Sequence, residues 1–288
     1  MKRILMLLTA ILLALPLYGC TDVIQCDVAA TTMPVYEFTS RLCLGTDITV
    51  TPIITQSISC LHDYTLQVGQ MRTIQGARVV VQSGGGLEEF LEDVLNSAQK
   101  LVDASEGLSV SSGKHHHASE HVHESDPHIW LSPKNAKVMA TSICTGLTEQ
   151  FPIHADTFQT NLHQLLGELD ALQAYGEQKL ATLSCRELVT FHDGFSYLAE
   201  SFDLTILRAV EEESGSEASA AELISLINTV NEHQLPAVFT ETNGSVAAAN
   251  IIAAETGVKV YPLDMAIAGS GYFDAMYHNI NTIWEALE

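Results

Sequence analysis

Residues 158–183 read FQTNLHQLLGELDALQAYGEQKLATL, and the rest of the chain divides around them. Phe158, Leu162, Leu165, Leu166, Leu169, Leu172, Leu180 and Leu183 recur at helical spacing and mark one buried face. The run covers about 26 residues, or about 39 Å at 1.5 Å per residue. Gly167 and Gly176 weaken it locally. On both sides the pattern changes to short apolar runs alternating with helical stretches. The helix is therefore expected to be a rigid strut between two α/β halves rather than a flexible linker.

Upstream, 27–32 and 47–53 read as strands around a short helix near 36–44. A third strand at 77–81 precedes Ser83-Gly84-Gly85-Gly86 and a helix from 87 to about 100, and 101–104 is a fourth strand. Pro133 opens a helix through 135–150, which Phe151-Pro152 closes. Downstream the alternation repeats, with strands at 187–191, 204–209, 237–241 and 258–263. Helices are expected at 194–201, 219–234, 246–256 and 271–287, and Ser219 with Glu222 fits a capping box. Strands separated by helices imply parallel sheets covered on both faces. The fold class is α/β: two lobes, each a parallel sheet flanked by helices, joined by one long rigid helix. The expected boundaries are a signal at 1–19, a first lobe at 20–152, the linking helix at 153–183 and a second lobe at 184–288. The triple glycine reads as a tight turn, because no GK[ST] follows it and no GxGxxG is present.

Lys2 and Arg3 precede an apolar run at 4–15, and Leu17-Tyr18-Gly19-Cys20 follows. This is a charged start, an apolar core too short to span a bilayer and a small residue before a cut. It resembles a bacterial lipoprotein signal with Cys20 as the lipidated residue. No other apolar run approaches eighteen residues. The net charge of −22 becomes −24 once Lys2 and Arg3 are removed. Such an excess of acid argues against nucleic acid, whose phosphates demand positive charge. The chain is expected to be an extracytoplasmic monomer. Of the remaining cysteines, Cys26, Cys43, Cys60, Cys144 and Cys185, none forms a CxxC pair. Cys43 with Cys60 is the expected disulfide.

Residues 114–133 read KHHHASEHVHESDPHIWLSP and carry the chemistry. His115, His116, His117, His121 and His123 lie in a polar stretch, 114–125, without hydrophobic periodicity. That part is expected to be a mobile loop that attracts metal without fixing one geometry. His128, by contrast, stands beside a proline and Ile129-Trp130-Leu131, so a folded body should hold it. Ligands of parallel α/β sheets bind at the carboxyl ends of strands. By that rule His192 and Asp264 directly follow strands, His62 lies in a loop beyond the second strand, and His128 leads into a helix. Each has an ordinary alternative: a loop histidine for His62 and His128, a core histidine for His192, a turn or cap for Asp264. Together they supply three imidazoles and a carboxylate, a sound tetrahedral set for Zn2+, whereas Mn2+ prefers more oxygen. A zinc hydrolase would need a general base such as Asp193 or Glu124, but no HExxH is present.

The chain resembles the zinc-binding lipoproteins of bacterial ABC importers, a group of metal-specific solute-binding proteins that also includes manganese binders. The resemblance rests on ATTMPVYEF at 30–38, GGGLEEFLEDVL at 84–95, DPHIWLSP at 126–133 and FHDGFSYL at 191–198. SEASAAELISLI at 216–227, AVFTET at 237–242 and ETGVKVYPLD at 255–264 extend it. It implies metal bound between two similar lobes with small domain movement, delivery to an ABC permease, and no enzymatic activity. Matched residue by residue, His128 and His192 fall on two histidine ligands and Asp264 on the carboxylate ligand. His192 stands where manganese members carry Glu. The first-ligand region departs from the pattern. SISCLHDYTLQ keeps the spacing of His62 and Tyr64 but lacks flanking prolines, and Cys60 stands there as a competing thiolate. A manganese or iron binder and a surface adhesin using zinc structurally are the alternative readings. Cys20→Ser is expected to release the protein from the membrane fraction of cells; unchanged membrane association would reject lipidation.

Overall fold

The computed structural model describes residues 26–56, 61, 64–109, 126–210, 218–269 and 271–288. The signal at 1–19, Cys20, Cys60, His62 and the histidine run at 114–125 lie outside these residues.

The first lobe contains β1 (Cys26–Ala30), α1 (Met33–Leu42), β2 (Val50–Pro52), α2 (Val68–Gly76) and β3 (Ala77–Gln82). A 3-10 turn (Glu89–Leu91), α3 (Glu92–Leu95) and β4 (Leu101–Asp103) follow. A second 3-10 turn (Ile129–Leu131) then leads into α4 (Pro133–Gln150), and α5 (Ala155–Leu180) crosses to the second lobe. That lobe contains β5 (Glu187–Thr190), α6 (Ser196–Ser201), β6 (Thr205–Ala209), α7 (Ala220–Glu232), β7 (Ala237–Glu241), α8 (Ala247–Thr256), β8 (Lys259–Leu263) and α9 (Tyr272–Leu287). The sheets run β2-β1-β3-β4 and β6-β5-β7-β8, all parallel, so the second repeats the strand order of the first. In each, the chain leaves the central strand, visits one edge and returns to the other side. This creates a switch-point crevice between β1 and β3, and another between β5 and β7.

Residues alternate across the second sheet as a doubly covered parallel sheet requires. Ala237 and Phe239 face the main core, while Val238 joins Leu226, Val230 and Ile252 in a smaller cluster under α7 and α8. The main core runs without a break from Val28 and Phe38, through Trp130 and Leu169, to Tyr272, Ile280 and Leu287. The long helix is thus an integral wall, packed against α4 and α1 on one side and α9 on the other. Phe158, Leu162, Leu165, Leu169, Leu172 and Leu180 form its buried face, as their spacing predicts.

Three local expectations change. The helix expected from 87 to 100 is only a 3-10 turn and the four-residue α3. The Ser97 hydroxyl takes the Val94 carbonyl at 2.6 Å, offering the backbone a competing bond just where the helix would continue. The helix α2 escaped notice because VGQMRTIQG buries only Thr73 and Ile74, too few to make a stripe; a capping box between Gln67 and Gln70 starts it. Cys43 is a free thiol buried at the end of α1, where burial pushes it up to about 12, so the pairing with Cys60 is absent. The glycine turn is confirmed as a turn: Gly84, Gly85 and Gly86 all have positive φ. Its Ser83 and Gly84 N–H groups donate to the carboxylate of Glu88, which leaves them engaged by the protein itself rather than by phosphate.

Two glycines of α5 should respond oppositely to one substitution. A Cβ at Gly176 would stand 2.2 Å from the Phe202 ring, whereas Gly167 has nothing within 4 Å. Gly176→Ala is expected to destabilise by about 1–3 kcal/mol through overpacking. Gly167→Ala should stabilise by roughly 0.5–1 kcal/mol through helix propensity. Urea unfolding of the two variants checks both signs.

Candidate metal centre

His128 is set by the residues around it. Asp126 Oδ1 accepts both the His128 backbone N–H at 3.0 Å and the ring Nδ1–H at 2.8 Å. Immediately after it, Ile129, Trp130 and Leu131 are fully buried, and Ser132 caps α4 with Pro133 in its first turn. The imidazole is therefore fixed at its base by a turn and along its side by the Trp130 ring, 5.5 Å away. Burial raises the Asp126 carboxyl, but the donors and charge of His128 together with the Ser196 hydroxyl outweigh it, holding the group below the ordinary carboxylate range. Asp126 is ionised, which assigns the His128 proton to Nδ1 and leaves the Nε2 lone pair pointing away.

His192 follows β5, extended by the Phe191 N–H donating to Phe239 O. Its Nδ1 lies 2.8 Å from Glu241 Oε1, at the end of β7. The switch-point crevice of the second sheet therefore holds the same carboxylate–imidazole arrangement. His192 Nε2 comes 3.5 Å from His128 Nε2, with the rings nearly perpendicular at 84°. Two nitrogens bound at 2.0–2.1 Å to one tetrahedral ion stand about 3.3–3.4 Å apart, so the spacing suits a shared metal. The surroundings suit it too: each ring is backed on Nδ1 by a nearly buried carboxyl side chain, 8% exposed for Asp126 and 6% for Glu241, the arrangement that orients metal-binding imidazoles.

The remaining expected ligands stand differently. His62 lies outside the described residues, as do His115, His116, His117, His121 and His123. Asp264 directly follows β8, as expected, but its Oδ1 accepts the Ala266 N–H at 2.8 Å. Its own peptide is clasped by Asn279, fully buried on α9, which accepts from the Asp264 N–H and donates to the Asp264 carbonyl, each at 2.7 Å. Among the described residues, no three His, Cys, Asp or Glu side chains converge on one point, so the pair His128–His192 is brought together without Asp264. Asp264 is nonetheless close by in the chain. The carbonyl of the next residue, Met265, accepts from Trp130 Nε1 at 2.8 Å, joining this segment to the one that carries His128.

Sequence reasoning missed Asp126, Glu241 and Asn279. The signal for Glu241 was available, since it ends a strand just as the chosen ligands follow theirs. Asp126 is two residues from His128 and could have been read as its turn-forming partner. Asn279 had no signal beyond being an amide within an apolar helical stripe.

A two-lobed parallel α/β frame with paired, carboxylate-backed imidazoles defines a metal-binding protein. Residues 28–286 match the family described as zinc-uptake complex component A periplasmic, ZnuA, and the chain belongs to it. Among its relatives, the zinc-binding lipoprotein AdcA of Streptococcus pneumoniae is 30% identical over 98% of this chain. The chain spans 60% of that protein's length. The high-affinity zinc uptake system protein ZnuA of Bacillus subtilis is 27% identical over 90% of this chain and 87% of its own. A crystal structure of ZnuA superposes with a TM-score of 0.80 at 28% identity, covering 92% of this chain and 100% of that one. Among the described residues no helix is long and apolar enough to cross a membrane.

Gly194 tests how tightly the centre is built. A Cβ there would stand 2.8 Å from His192 Nε2, 2.7 Å from its Cδ2 and 2.6 Å from Met265 Cε. Gly194→Ala is expected to move the His192 imidazole signals in 1H–15N spectra while the protein stays folded; unchanged signals would refute this close fit.

Proposed function

We propose that this protein captures Zn2+ outside the cytoplasmic membrane and delivers it to an ABC permease for import. The observation that carries the reading is the pair of Nε2 atoms 3.5 Å apart, each opposite a carboxylate on Nδ1, in a member of the zinc-uptake family. Nitrogen donors favour Zn2+ over Mn2+, and the names of the relatives support the same metal. In this reading His128 and His192 are two ligands, and His62 and Asp264 supply the others. Asp264 then exchanges its bond to Ala266 for the ion. Cys60, two residues before His62, is the rival for that position.

His115, His116, His117, His121 and His123 form a set of weaker sites that raises the local metal concentration. The protein is a monomer anchored through a lipid on Cys20, and acidic side chains on the lobes meet the permease. As a component of an uptake complex it holds and passes on its cargo rather than transforming it.

Zn2+ and Mn2+ titrations of the mature protein, in competition with a chromophoric chelator, test the metal. Tighter binding of Mn2+ would reject the assignment. His192→Ala is expected to weaken Zn2+ binding beyond the roughly 10–100-fold that loss of a supporting partner costs. Deletion of 115–123 should weaken it far less, and equal effects would overturn the division into fixed and loose sites.

A further inference from the structure

In the second lobe the switch-point crevice is where His192 meets Glu241. The matching crevice of the first lobe, between β1 and β3, holds a different carboxylate. Glu88 is 4% exposed and turns back beneath the glycine turn. Its Oε1 accepts from Thr31 Oγ1 at 2.6 Å and from the Ser83 N–H at 2.8 Å, and its Oε2 accepts from the Gly84 N–H at 3.0 Å. Ser83 Oγ in turn lies 2.7 Å from Thr32 Oγ1. Three donors converge on one buried acid in the place where a parallel α/β lobe receives its ligand.

The three residues after β1 show what this knot holds. Thr31, bound to Glu88 through its hydroxyl, accepts the Ile54 N–H on its carbonyl at 3.0 Å. Ile54 is fully buried and begins the segment that leads to His62. Thr32 is held by Ser83, itself held by Glu88. The Met33 N–H crosses to the second lobe and donates to Ile267 O at 3.1 Å, three residues beyond Asp264. Ile54, which precedes the segment of His62, and Ile267, which follows Asp264, are therefore both bonded to one corner, and Glu88 is the group beneath that corner.

We propose that Glu88 is a positioning residue for the metal centre, its carboxylate fixing the corner at Thr31, Thr32 and Met33 to which Ile54 and Ile267 are bonded. The proposal rests on the metal site described above. Burial pushes the Glu88 carboxyl up to about 7; the bonds from Thr31, Ser83 and Gly84 pull it down, and Asp103 on β4, the charged neighbour acting on it among the described residues, adds to the rise. Hydrogen bonds to a charged acceptor are stronger than those to a neutral one. The ionised form thus holds the corner, and protonation slackens it. Metal binding favours that ionised form, so the advantage Glu88 gives should grow as pH rises through about 7.

The experiment measures Zn2+ affinity of the full mature chain and its Glu88→Gln variant, by chelator competition across the neutral range, with melting temperatures alongside. Above pH 7 the variant is expected to bind about tenfold more weakly. The ratio should shrink toward one as pH falls below about 7, because the protonated Glu88 is then neutral like the glutamine; protonation of the histidines weakens both proteins alike and cancels in the ratio. Thr31→Val, which removes one donor and keeps the acid, should show a smaller loss in the same direction and decides the matter if Glu88→Gln does not fold. A folded Glu88→Gln with a lowered melting temperature and unchanged affinity at every pH would overturn the positioning role and leave the site intact. Failure of the unaltered protein to bind Zn2+ would instead overturn the site itself.

Discussion

The relation between the two lobes depends on one fully buried indole. Trp130 Nε1 donates to Met265 O at 2.8 Å, and its backbone carbonyl accepts from the Tyr272 hydroxyl at 3.0 Å. A buried donor left unpaired costs about 1–3 kcal/mol, and truncating a core tryptophan costs about 3–5 kcal/mol. The second-lobe loop is therefore pinned at one height against the first lobe. Around this seam the Phe38 ring meets Tyr272 edge-on at 4.9 Å, and Glu37 accepts the Tyr272 N–H at 2.6 Å. His128 lies two residues from the indole and Asp264 one residue from its acceptor. The site inherits its geometry from packing, before any metal is considered.

Within that frame, each lobe places an acid where the strand order reverses. In the second lobe the acid orients an imidazole; in the first it gathers hydroxyl and backbone donors. The difference is consistent with the chain's heavy acidic balance being used locally, at positions where a carboxylate has a defined partner. Ala266, two residues after Asp264, adopts φ 55°, a conformation that L-residues adopt at a cost of about 1–2 kcal/mol. The turn held by Asp264 Oδ1 is one in which the backbone is already under strain.

The fold was legible because its signals are local and repeated. The leucine spacing of α5 sums over many turns, and the strand–helix alternation recurs in both halves. The strand-end rule pointed to His192, which the structure brings to His128, and to Asp264, which it does not, and it passed over Glu241, the last residue of its strand. What could not be read was pairing across long separations, such as Glu37 with Tyr272, 235 residues apart, or Glu88 with Thr31, 57 apart. No periodicity announces such contacts. Two misses have local causes instead: α2, whose polar sequence shows almost nothing to the core, and the shortened helix after the glycine turn, where a serine hydroxyl competes with the backbone.

The unbroken core has a consequence for how the molecule comes into being. Tyr272, Met276, Ile280, Ile283 and Leu287 of the last helix lie in the same apolar cluster as Val28 of the first strand. The last helix closes a core that the first strand opens, while the smaller cluster under α7 and α8 is enclosed by the second lobe alone. Closure of the main core therefore joins segments from opposite ends of the described residues. Contacts between the two ends of the sequence also make that closure slow compared with helical proteins of local connectivity.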